Sequence, residues 1–166
     1  MEQIRNKLIT GVLLVGWMVV IFCFSAQPAP ESSAVSGTVA YRIVDTTDRM
    51  LQMELSGGQI LSYAEILDYP IRKAAHMTEY AILGLLSFAF LTSMGKKGKG
   101  AYLMALGIAV AYATTDEFHQ LFVQGRSGRF TDVCIDTTGA VIGLFLLYFV
   151  GKVVRRHCEK QGLPLQ

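Results

Sequence analysis

Arg72, His76 and Glu79 follow one another at i, i+4 and i+7 in the run Arg72-Lys73-Ala74-Ala75-His76-Met77-Thr78-Glu79-Tyr80. A second run, Asp116-Glu117-Phe118-His119-Gln120, gathers the same side-chain types. An imidazole beside carboxylates offers two chemistries: proton transfer with the carboxylate orienting the ring, or nitrogen and oxygen ligation of a divalent metal. His76, Glu79, Asp116 and His119 are the candidates for either role, as catalytic groups or as metal ligands. On an ideal helix Glu117 and His119 point about 160° apart, so those two cannot easily share one ion. Both runs lie in or beside segments apolar enough to enter a bilayer. An ionisable side chain there is costly, normally faces a partner or a wet cavity, and marks a functional site by default.

Spacing decides which of these residues can meet. Arg72, His76 and Glu79 project within an arc of about 60° on a helix. Asp116 shares a face with His119 and Gln120, whereas Glu117 points about 100° away. A third group follows in Asp132 and Asp136, on the face that also carries Gly139 and Gly143. The Gly139-x-x-x-Gly143 spacing allows close helix approach and would press the aspartate face inward. Between the second and third groups, Gln124-Gly125-Arg126-Ser127-Gly128-Arg129 supplies two arginines. Arginine suits planar, bidentate binding of phosphate or carboxylate. Arg126 and Arg129 either hold an anionic ligand or pair with Asp116, Glu117, Asp132 or Asp136, and Arg72 serves in either way. The candidate ligand-binding set is therefore Arg72, Glu117, Gln120, Arg126, Arg129, Asp132 and Asp136.

The elements that must position these residues are membrane spans. The chain has 166 residues, 52% hydrophobic and 17% charged, with mean hydropathy +0.40. That is too apolar for a soluble domain of this size. Four stretches, near 8–24, 74–94, 101–122 and 132–150, have the roughly 20 apolar residues that a helical span needs. The expected fold is a single all-α domain over 1–166, a four-helix transmembrane bundle with an outer helical segment at 25–73. Basic residues set the orientation, because short cytoplasmic loops carry excess Lys and Arg. The two termini and the second connection between spans hold nine Lys and Arg against two acids, and the rest of the chain six against eleven. Both termini are expected inside, and all three polar groups then converge in the outer third of the bundle.

In the outer segment, Ala34, Val35, Val39, Ile43, Val44, Met50, Leu51 and Leu55 recur at helical spacing. They predict an amphipathic helix on the bilayer surface or over the bundle. Ser56-Gly57-Gly58 is expected to stop it, with a short second helix over 60–69 ending before Pro70. The first span also has a signal-peptide pattern, but Pro28 and Pro30 disfavour cleavage nearby, so retention is expected. Cys23, Cys134 and Cys158 fit apolar filler and a surface thiol better than a disulfide framework. Gly95-Lys96-Lys97-Gly98-Lys99 lacks the preceding strand and following Ser/Thr of a phosphate loop. Nothing in the chain points to nucleic acid or a nucleotide cofactor. Gly128-x-x-x-Asp132-x-x-x-Asp136 matches only the tail of a lipid phosphotransferase motif whose first half is missing.

Taken together, the blocks at 72–80 and 116–120, Gly125-Arg126-Ser127-Gly128, Asp132-x-x-x-Asp136-Thr-x-Gly139 and the Ser25-Ala26-Gln27-Pro28 turn resemble the VanZ-like family of bacterial membrane proteins. The resemblance covers the chain from Trp17 to Gly143. It implies a small multi-pass protein of the bacterial plasma membrane, in a family named for a protein associated with low-level resistance to the glycopeptide teicoplanin. It implies no agreed activity. Four functions stay open. The first is an enzyme acting on a phosphate-bearing lipid or lipid-linked cell-wall precursor, with or without a divalent metal. The others are a binder of membrane lipid headgroups or a glycopeptide, proton-coupled transport, and an ion-pair network that locks helices for a partner. Transport is disfavoured because the inner half of the bundle carries no polar path. Reporter fusions at residues 45 and 97 should score on opposite sides of the membrane; scoring on the same side would overturn the shared depth of the three polar groups.

Overall fold

The computed structural model describes residues 1–161, and these fold into five helices with no strand: α1 (Glu2–Ser25), α2 (Ala29–Leu51), α3 (Gly57–Ser93), α4 (Gly98–Gln120) and α5 (Phe130–Gln161). Three of them, α1, α3 and α5, are long and apolar enough to cross a membrane. α4 has 23 residues and carries Asp116, Glu117, His119 and Gln120 in its last turns. α3 is the hub, packing against each of the other four helices. Large apolar side chains such as Val12, Val19, Leu103, Phe145 and Phe149 stay exposed on the outside, as suits helices surrounded by lipid.

The inner packing relies on small residues. Ala101, Ala105, Ala109 and Ala113 recur every fourth position along α4 and are all buried. They let α4 lie close to α3 and α5. The tightest approach is between α3 and α5. A Cβ added at Gly139 would stand 2.2 Å from the Met77 carbonyl oxygen, and one at Gly143 2.7 Å from that of Ala81. From the α3 side, a Cβ on Gly84 would meet the Ala140 carbonyl at 3.3 Å. The expected role of the Gly-x-x-x-Gly spacing is thus realised at backbone contact. α1 is tied in by polar side chains at its own middle: Trp17 Nε1 donates to the Glu79 carbonyl at 2.9 Å, and Tyr112 Oη donates to the Met18 carbonyl at 2.6 Å. An indole or phenol buried in an apolar bundle needs such a partner.

Two expectations for the outer segment are corrected. α2 ends at Leu51, with Gln52 in the left-handed region, so Ser56-Gly57-Gly58 opens the next helix rather than closing this one. Ser56 and Gln59 cap each other reciprocally and make it a strong start. Nor does that second helix end before Pro70; it runs through to Ser93 as part of α3. Pro70 removes one main-chain donor, but the neighbouring turns are braced. Arg72 and Asp68, one turn apart on either side of Pro70, form an ion pair, and Ser33 and Ser36 of α2 bond to Arg72 and Asp68. Ser36, Ala40 and Val44 are the buried face of α2, level with Asp68, Ala64 and Ile60 of an antiparallel partner. Val35, Val39 and Ile43 of the expected apolar stripe remain exposed.

Replacing Gly139 by Ala should destabilise the bundle by about 1–3 kcal/mol, the range for overpacking. Gly16, whose added Cβ would meet nothing within 4 Å, is the control: its Ala variant should be neutral or better by about 0.5–1 kcal/mol. Thermal unfolding in detergent reads both, and equal behaviour would refute the close contact.

Candidate functional site

The end of the bundle opposite the lysine-rich 96–99 turn is closed by the loop 121–129, and the reason lies in its main chain. Ala29 N–H donates to the Gln124 carbonyl at 3.2 Å, tying the loop to the start of α2. Gly125 has φ +75, a conformation that L side chains rarely adopt, and packs against Ala29. Gly128 lies so close to the end of α4 that an added Cβ would stand 2.3 Å from the Glu117 carbonyl. The Arg126 guanidinium reaches the C-terminus of α1, with Nε donating to the Gln27 carbonyl at 2.9 Å and an Nη to that of Phe24 at 3.2 Å. A cation there also meets the negative end of the helix dipole.

Beneath this loop is a cavity of about 320 Å³ lined by Tyr69, Arg72, Lys73, His76, Glu117, Gln120, Arg126, Ser127, Arg129, Asp132 and Asp136, with Ala29 and Gly125. Of the expected ligand-binding set, all seven residues line it. Lys73 and Asp132 form an ion pair at 2.7 Å across α3 and α5, and Lys73 also stands over the Tyr69 ring. Glu117 accepts the Arg129 main-chain N–H at 2.8 Å, which places a carboxylate at the start of α5 where the helix dipole favours it. Arg129 Nε donates to Ser127 Oγ at 3.1 Å. Among the described residues neither Arg126 nor Arg129 has a carboxylate within ion-pair distance. Burial, and after it the nearby Arg72 guanidinium, lower the pKa of Arg126 from its ordinary value.

The four candidate catalytic residues fall into separate groups. His76 Nδ1 lies 3.8 Å from a Glu79 oxygen and 3.9 Å from Asp136 Oδ1, too long for direct hydrogen bonds but close enough to orient the ring through small shifts. Glu79 Oε2 and Asp136 Oδ2 are buried without a hydrogen-bond partner. Asp116 turns instead toward α1: Ser25 Oγ donates to its Oδ2 at 2.7 Å, and Gln120 Nε2 lies 3.4 Å from both. His119 stacks on Phe22 with ring centroids 4.6 Å apart. Among the described residues no three His, Cys, Asp or Glu side chains are gathered in an arrangement that could hold a metal ion. The three cysteines are free. His76, Glu79 and Asp136 thus form one group, with His76 and Asp136 on the cavity wall, while Asp116 and His119 contact Ser25 and Phe22 of α1.

Sequence reasoning missed three partners. Lys73 was visible as a basic neighbour of Arg72, but only the α3–α5 packing shows that it meets Asp132. Asp68 was signalled by its i, i+4 spacing to Arg72, which is meaningful only once the helix runs through Pro70. Ser25 was marked only as part of the turn after the first span, and its type alone gave no sign that it meets Asp116.

Lys73→Met should leave Asp132 uncompensated and cost about 1–3 kcal/mol, between the exposed and fully buried cases. Adding Asp132→Asn should recover most of that loss in thermal unfolding. Additive losses would mean that the two side chains do not interact.

The comparisons with known proteins bear on the whole of this architecture. No curated protein and no solved structure matches the chain. Residues 10–151 match the family described as VanZ/LLP1, a stretch that begins in α1, ends in α5 and contains every residue lining the cavity. This chain belongs to the VanZ/LLP1 family.

Proposed function

We propose that this protein is a four-span plasma-membrane protein with both termini cytoplasmic, whose polar cavity binds the phosphate-bearing headgroup of a lipid or lipid-linked envelope intermediate. The observation that carries the reading is the pair Arg126 and Arg129 on the cavity wall without a carboxylate counterion, beside Arg72. An anion among them would offset both the burial that chiefly lowers the Arg126 pKa and the repulsion from Arg72 that adds to it. A phosphate also suits the planar fork of arginine. For the span count, α4's 23 residues give about 34 Å of helix, enough for a hydrocarbon core of about 30 Å. Its low apolarity comes from the end that turns Asp116, Glu117 and Gln120 into the bundle. For the orientation, the basic clusters all lie at the other end.

A catalytic reading adds one observation to this one: His76 reaches the same cavity with Glu79 and Asp136 behind it. In that case His76 takes or gives a proton at the bound headgroup and the carboxylates hold the ring. Teicoplanin-type resistance, which the family resemblance implies, is then a cellular outcome of occupying the headgroup.

The test uses a short-chain phosphatidic acid as probe. Arg129→Gln should weaken its binding about tenfold or more, the equivalent of one charged hydrogen bond, with the unfolding temperature unchanged. Arg126→Gln should lower both binding and stability, since it also releases the end of α1. His76→Gln should keep binding and abolish any turnover of the bound lipid. Wild-type affinity in Arg129→Gln would sink the headgroup reading.

A further inference from the structure

At the opposite end of the bundle, α4 and α5 diverge and leave a groove of about 970 Å³ open to the outside. Its deeper wall is apolar: Leu103, Leu106, Val141, Leu144 and Phe145. Its mouth carries Lys99, Lys152, Arg155 and Arg156 against the single acid Glu159. Between the two lie Tyr102 and Tyr148, edge to face at 6.1 Å, with Tyr102 also against Phe88 at 4.3 Å. Among the described residues none of the four cations has a carboxylate within ion-pair distance.

The order along the helices is that of one leaflet. From Val141 to Arg155, α5 rises by about 21 Å, against a hydrocarbon half-thickness of about 15 Å plus the headgroup layer. Tyrosines mark the interface, where an amphipathic ring has one face in hydrocarbon and its hydroxyl in water. A purely apolar partner would leave the four cations unmatched, and a soluble anion would leave the apolar wall unused. Basic pockets between spans are suited to anionic headgroups.

We propose that the α4–α5 groove binds a diacyl phospholipid with an anionic headgroup, its acyl chains along Leu103, Val141 and Phe145 and its phosphate among Lys99, Lys152, Arg155 and Arg156. The site is independent of the polar cavity, and Arg129→Gln leaves it intact. It uses the leaflet on the basic side, so the protein contacts lipid headgroups at both ends through different chemistry.

Native mass spectrometry of the full chain in detergent, titrated with phosphatidylglycerol or with phosphatidylcholine of the same acyl length, tests this. Phosphatidylglycerol should be retained and phosphatidylcholine lost. Lys152→Gln with Arg155→Gln should reduce retention about tenfold or more, on the scale of two basic side chains near an anionic lipid. Arg5→Gln with Lys7→Gln removes the same charge at the same end but on α1, and should change nothing. Leu103→Trp, which narrows the apolar wall at an exposed position without altering charge, should also reduce retention. Equal losses in both charge variants would overturn the groove in favour of general attraction to the basic end. Retention of glycerol phosphate as strong as that of the lipid would assign the cations to a free anion. A dimer that forms without lipid and is broken by Leu103→Trp would assign the groove to a second copy.

Discussion

The contact between Gly139 of α5 and the Met77 carbonyl of α3 constrains everything at the polar end. With an added Cβ only 2.2 Å from that oxygen, the two backbones touch with no side chain between them. His76 is the residue before Met77, and Asp136 lies one turn before Gly139. Backbone contact at this level therefore puts the imidazole and the carboxylate within 3.9 Å and brings Lys73 onto Asp132 one turn further out. A larger residue at Gly139 would separate all of these at once. Lipid gives helices no hydrophobic reason to associate, so small residues and satisfied polar groups must supply the attraction.

The same constraint explains why the polar side chains here are divided between structure and site. Asp116 is committed to Ser25 and Gln120, Glu117 to the start of α5, and Arg126 to the carbonyls that end α1. Glu117 and Arg126 thereby meet main-chain groups at helix termini that would otherwise stay unpaired in a poorly hydrated place, while Asp116 bonds only side chains. Among the described residues the buried polar atoms left without a hydrogen-bond partner include Arg72 Nε, Glu79 Oε2, His119 Nδ1 and Asp136 Oδ2. Of these residues Arg72 and Asp136 line the cavity, as does His76. Hydrogen-bond partners thus divide the candidate residues into those that hold helix ends and loops and those that face the cavity.

Much of this was legible because membrane periodicity and charge bias are strong signals. The helical face shared by Arg72 and His76 follows from 3.6 residues per turn, and both line the cavity. The Gly139–Gly143 approach followed from spacing alone. Pro70 misled because its local effect is real: it removes a donor and disfavours the helix before it. The structure overrides it by bracing both sides, with Asp68 and Arg72 bridging the proline and two α2 serines holding that bridge. His119 could not be assigned from spacing, since its position on the Asp116 face is compatible with the cavity and with α1. The Phe22 ring on α1 settles its surroundings.

The two ends of the bundle handle charge in opposite ways. At the basic end the cations stand at the mouth of an open groove, on long, flexible side chains that reach water and headgroups alike. At the polar end cations and carboxylates are interleaved around one cavity, where each buried charge must be met by a neighbour or by a ligand. Lys73 meets Asp132, and Arg72 meets Asp68. Arg126 and Arg129 reach the cavity from the loop, the first bonded to main-chain carbonyls and the second, exposed, to Ser127 Oγ. Water serves an exposed guanidinium until an anion takes its place, which is what the proposed headgroup site asks of Arg129.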